Sequence, residues 1–179
     1  IRELTGLKGK SAAPNALIQA LLKSPSELVW FGGIGTYVKA SAEQNWEVGD
    51  KANDALRIDA HELGAKVVGE GANLGMTQAA RIEFAGQGGK VNADFVDNSA
   101  GVDSSDHEVN IKILLNPMVR DGAMKLEDRN TLLEDMTDAV AEHVLEHNYD
   151  QTLALTIARE HAREDIDAHE RFMERLEAD

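Results

Sequence analysis

Apolar residues in the first part of the chain cluster in short runs, and in the last part they recur at helical spacing. Pro14 opens a predicted helix over 14–23, because proline suits a first helical turn and Leu17/Leu21 and Ile18/Leu22 repeat at i, i+4. Ser24-Pro25-Ser26 stops it. The run 27–31 is apolar and breaks at Gly32-Gly33-Ile34-Gly35, which predicts a buried strand entering a glycine turn. Residues 41–50 are polar and read as a loop. Residues 50–63 read as a helix with Asp50 as N-cap and Ala52, Ala55 and Leu56 on one face. A second strand is predicted over 65–70, a loop over 71–75, and a helix over 76–87 capped by Thr77 and ended by Gly88-Gly89. Residues 90–96 alternate and predict a third strand, followed by a small-residue loop over 97–103. Ser105 or Asp106 then caps a helix through Leu115, closed at Asn116-Pro117.

Strand, loop and helix in repetition argue for a parallel sheet with helices on its faces. The style changes near residue 117. Two charged amphipathic helices are expected over 127–147 and 151–176, with Leu132, Met136, Val140 and Val144 as one stripe and Leu153, Ile157, His161, Ile166 and Met173 as a looser second. The fold class expected is α/β: a partial parallel sheet over 1–117, then a C-terminal helical segment over 118–179.

Composition narrows the classes of function. The chain is 42% hydrophobic and 28% charged, as in ordinary soluble domains. No apolar run of about 18 residues predicts a membrane span. No basic leader with an apolar core opens the chain. It begins at Ile1 rather than Met, so it is expected to start inside a longer product or after processing. Without cysteine, disulfides and thiolate metal sites are excluded. A net charge of −14 argues against nucleic acid and anionic membrane surfaces as partners. Helix N-termini and backbone N–H groups can still hold an anionic cofactor locally.

The candidate chemistry lies in the loops that follow the strands, since ligands of an open parallel sheet sit beyond its carboxyl ends. Gly32-Gly33-Ile34-Gly35, the segment 69–75 and the segment 97–106 are rich in small and polar residues that let backbone approach a ligand. Tight connections favour the same residues, so one such loop alone says little. The dinucleotide fingerprint G-x-G-x-x-G is absent, and a nucleotide-binding sheet would carry its phosphate turn elsewhere. The acidic group Asp94, Asp97, Asp103, Asp106 and Glu108 does not follow the order of a calcium loop, and no metal is expected. Ser104, Ser105, Asp106 and His107 are adjacent but lack a nucleophile turn, which argues against a hydrolase triad. His143 and His147 stand at i, i+4 without the glutamate and third ligand of a zinc helix. Trp30 is expected in the core and Trp46 on the surface.

Longer stretches carry a resemblance. Residues 28–41, 48–57, 66–78 and, longest, 94–115 resemble segments of the large bacterial NAD-specific glutamate dehydrogenases. The resemblance covers about 28–148. The shorter glutamate dehydrogenases look similar at Glu70-Gly71-Ala72-Asn73 and at Asn98-Ser99-Ala100-Gly101-Val102-Asp103-Ser104-Ser105. In that family the first loop lies beside the dinucleotide, with its asparagine near the nicotinamide ribose. In the second segment the asparagine contacts the nicotinamide end and the serine holds a substrate carboxylate. The resemblance therefore implies cofactor contacts at Glu70, Gly71, Ala72, Asn73 and Asn98, and substrate contacts at Asn98 and Ser105. Gly32, Gly33 and Ile34 would lie near the adenosine half. Ser99 and Ala100 depart from the shorter enzymes, which have Ala and Gly there, and the bulk at 100 bears on how closely a ligand meets the backbone.

The resemblance implies a Rossmann-like sheet, NAD as cofactor, L-glutamate and 2-oxoglutarate as substrate and product, and a cytoplasmic homo-oligomeric parent. The family's catalytic lysine and aspartate, and its phosphate turn, belong to preceding parts, so this segment is expected to be inactive without the remaining domains. Two other readings stay open from the residues alone: a non-catalytic nucleotide-binding or regulatory module, and a structural α/β interaction domain.

Overall fold

The computed structural model describes residues 2–9 and 11–178. In chain order the elements of the first part are α1 (Arg2–Thr5), α2 (Pro14–Leu22), β1 (Ser26–Phe31), β2 (Val38–Lys39), α3 (Asn45–Val48), β3 (Ile58–Asp59), β4 (Ala65–Glu70), α4 (Gln78–Gly86), β5 (Lys90–Val91), α5 (Asp94–Asp97) and α6 (Ser99–Arg120). The helices α7 (Leu126–Asp135), α8 (Thr137–His161) and α9 (Ile166–Ala178) follow. The chain divides into two compact units, 1–117 and 118–179, with the division inside α6 directly after Pro117.

The main sheet is wholly parallel, in the order β1-β4-β5. Leu28 pairs with Val67 and Trp30 with Gly69, so the side-chain period of two sends Val29, Phe31, Val68 and Glu70 to one face. That face packs on Met76, Ala80 and Phe84, the last two from α4. Thr77 caps α4 as expected, its hydroxyl accepting the Ala80 N–H at 3.0 Å. The opposite face is open. Within this segment Leu28 is 53% and Trp30 57% exposed, where a buried strand and a core tryptophan were expected. The Trp30 ring lies flat over the backbone of Gly69 and Gly71, and a Cβ at either position would come within 2.8–3.0 Å of it.

The crossover from β1 to β4 is not the helix predicted over 50–63. It contains the two-stranded parallel pair β2–β3 and two single 3₁₀ turns. The cause is Arg57, whose side chain is wholly buried. Its guanidinium donates to Thr36 O at 2.9 Å, Asn45 Oδ1 at 3.0 Å, Asp54 Oδ1 at 2.6 Å and Asp50 O at 2.5 Å. A buried cation must collect such acceptors, and their positions override local helix propensity.

Two further expectations fail beyond β4. The third strand stops at Val91, and α5 stands where alternation suggested strand, its Asp94 and Asp97 turned back to the preceding loop. Helix α6 begins at Ser99, where a loop was expected, and runs through Pro117, where a stop was expected. In the second unit, three helices replace the expected two, with breaks at Met136 and over 162–165. Among the described residues, no helix is long and apolar enough to cross a membrane.

Candidate functional site

A cleft of about 590 Å³ opens at the carboxyl ends of β1 and β4. Gly32, Gly33 and Ile34 form one lip, Gly71, Ala72, Asn73 and Leu74 the second, and a face of α6 the third. Of the residues for which the resemblance implies cofactor or substrate contacts, all but Glu70 are in its lining.

The first lip is anchored from behind. Phe31 and Tyr37 stack with ring centroids 5.5 Å apart, and the Tyr37 hydroxyl donates to Ile34 O at 2.9 Å. The Thr36 N–H donates to the Asp50 carboxylate at 2.8 Å. That bond, then the Asn53 amide and the Arg57 charge, hold the Asp50 carboxyl below its ordinary value of 3.8. Ile34 itself is 95% exposed.

The second lip is fixed by its own N–H groups. Gly71 and Ala72 donate to Phe31 O at 2.9 and 3.0 Å. Leu74 donates to Asp94 Oδ2 at 2.8 Å, and Gly75 to Glu70 Oε2 at 3.0 Å. The Glu70 N–H meets Asp97 Oδ2 at 3.2 Å. The Glu70 carboxylate itself is fully buried, paired with Arg81, and braces the loop from beneath rather than lining the cleft. The same bonds occupy Asp94 and Asp97 as acceptors of main-chain N–H groups. With these four donors engaged, the loop meets a ligand mainly through its small surfaces and the residues Asn73 and Leu74.

The third wall is a helical stripe. Asn98, Gly101, Val102 and Ser105 recur at the spacing that brings residues to one side of a helix. Asn98 Nδ2 donates to Asn73 Oδ1 at 2.9 Å across the cleft, and its Oδ1 accepts the Gly101 N–H at 3.2 Å. A Cβ on Gly101 would stand 2.6 Å from Asn98 Oδ1, so only glycine leaves this amide in place. Ala100, the departure noted in the sequence, is exposed and outside the lining. Ser105 offers an exposed hydroxyl, but it lies in the second turn of α6 rather than at the helix N-terminus, so the end charge of the helix helps it less than expected. Asp106 is the one charged residue of the lining.

These donors suit a neutral polar ligand end. The second hydrogen of Asn98 Nδ2 and both of Asn73 Nδ2 match hydroxyls or a carboxamide. No lysine or arginine lines the cleft, so a diphosphate finds no cationic side chain here. Asn73, Asn98 and Ser105, singled out in the sequence, come together in this one cleft. Sequence reasoning passed over Leu74 and Val102, whose only signal was their position beside the asparagines.

A parallel sheet with such a cleft at its strand ends defines an α/β domain of the class that binds ligands at those ends. The family described as bacterial NAD-glutamate dehydrogenase, catalytic domain, matches residues 1–158, and the chain belongs to it. The NAD-specific glutamate dehydrogenase of Pseudomonas aeruginosa is 61% identical over 166 residues, 93% of this chain and 10% of that protein. The protein of the same name from Halomonas elongata is 54% identical over 178 residues, 99% of this chain and 11% of its own length. That of Mycobacterium tuberculosis is 47% identical over 175 residues, covering 94% and 11%. The chain therefore spans about a tenth of the length of the curated relatives it matches.

Proposed function

We propose that this chain is part of an enzyme that oxidatively deaminates L-glutamate to 2-oxoglutarate and ammonia with NAD. Family membership supports the reaction, and the asparagine pair facing Ser105 in one cleft supports the assignment of roles. NAD, when bound, accepts the hydride from Cα of glutamate. Asn73 and Asn98 hold the nicotinamide end, with Gly71, Ala72 and Gly101 letting it approach the backbone. Ser105 donates its hydroxyl to a substrate carboxylate. Gly32, Gly33 and Ile34 face the adenosine side. No proton transfer is assigned to these residues, because the lining contains no lysine or histidine and its only acid is Asp106. The acid–base groups and the phosphate site lie in the remaining domains, so the segment alone is inactive. By the same reading the enzyme is cytoplasmic and homo-oligomeric.

The test is kinetic, on the full-length protein. Ser105→Ala removes one hydrogen bond to a charged group, about 1.5–3 kcal/mol. The KM for glutamate then rises about 10- to 100-fold with little change in the KM for NAD. Equal glutamate kinetics in variant and parent would sink the role of Ser105. Absence of NAD-dependent glutamate turnover in the parent would sink the reading itself.

A further inference from the structure

Leu74 is the one non-glycine residue with positive φ among the described residues, at +62°. That left-handed backbone crowds any Cβ, and glycine or asparagine adopts it more readily. Leucine there needs a reason, and packing within this segment is not one, since the side chain is 65% exposed. The backbone is nevertheless held in place. The Leu74 N–H is bound to Asp94 Oδ2 at 2.8 Å, and the next N–H is bound to the buried Glu70 carboxylate. The side chain lines the cleft directly beside Asn73, whose amide meets Asn98. An exposed apolar group in a strained, braced backbone at a ligand cleft marks a surface kept for contact.

We infer that Leu74 is a binding residue of the cleft, its isobutyl group forming the apolar wall on which the nicotinamide ring packs while Asn73 and Asn98 hold the polar atoms at that end. The inference rests on the proposed function. It explains how a loop whose N–H groups are engaged still contributes affinity: an apolar contact needs no free donor. Val102 on the facing helix extends the same apolar surface.

The experiment uses the full-length protein and two variants. Leu74→Gly removes the side chain and relaxes the backbone, and Leu74→Asn keeps similar bulk, tolerates the left-handed region and is polar. NADH affinity is measured by fluorescence titration and thermal stability by scanning calorimetry. Removing the partial burial of a leucine weakens NADH binding roughly tenfold in both variants. The thermal midpoint stays level or rises in Leu74→Gly. Unchanged NADH affinity in both variants overturns the inference. A lower midpoint in Leu74→Gly overturns it as well, because the side chain would then be part of the packing. A parent protein that shows no saturable NADH binding overturns the proposed function instead, so the two failures are distinct.

Discussion

Replacing Arg81 by methionine tests the brace under the cleft most directly. Arg81 and Glu70 are 5% and 0% exposed, and they bind each other inside the core. Arg81 also donates to Asn92 O at 2.9 Å, and Glu70 accepts the Gly75 N–H at 3.0 Å. The pair thus ties β4, α4, the cleft loop and the turn after β5 together. Methionine fills much of the space but leaves a buried carboxylate without its cation. Loss of one partner of such a pair costs about 3–5 kcal/mol. That is about a fifth or more of the stability of a typical domain at about 5–15 kcal/mol. The assay is amide hydrogen exchange on the full-length protein, read in peptides covering β4, the loop and α4. Exchange there should quicken by about two to four powers of ten, or reach the unprotected rate. The double variant Glu70→Met with Arg81→Met removes both charges and should lose less protection than Arg81→Met alone. Protection in Arg81→Met equal to the parent's would refute the reasoning. So would a double variant as damaged as the sum of the two single changes.

Two further substitutions separate site from scaffold. Gly101→Ala improves intrinsic helix propensity by about 1 kcal/mol yet drives Asn98 from its place. NADH affinity should fall about five- to tenfold while thermal stability holds, and undiminished affinity in a fluorescence titration would contradict the packing described. Asp50 is held below its ordinary value of 3.8, so its stabilising effect is complete above that pH and is lost as pH falls beneath it. Asp50→Asn should therefore be less stable than the parent at neutral pH and lose less on acidification. Parallel acid-denaturation curves, followed by circular dichroism, would show that the Thr36 contact contributes nothing.

Much of the fold was written in local signals. Pro14 and the leucine spacing gave α2, the apolar run before four glycine-rich positions gave β1, and Thr77 gave the start of α4. The failures share a cause in partners distant along the chain. Residues 50–63 carry a helical pattern, but the buried Arg57 draws acceptors from Thr36 and Asn45, and no local window contains that demand. Asp94 and Asp97 sit in a stretch that alternates like a strand, yet their carboxylates serve N–H groups on the loop after β4. The stretch 97–103 reads as a loop, with a helix from Ser105 or Asp106, but the helix starts at Ser99 and brings Gly101, Val102 and Ser105 to one face. Asn98 and Ser105 were recognisable because they belong to an extended motif. Leu74 was not, because its significance lies in a backbone angle that composition does not reveal.

Trp30 restricts what its neighbours can become. Its ring rests on the bare backbone at Gly69 and Gly71, so a methyl group at either position would require the ring to shift. A lineage that keeps the ring there holds both glycines in place. Once the ring is moved or replaced, a side chain at either position meets less obstruction, so the three residues are coupled through position 30.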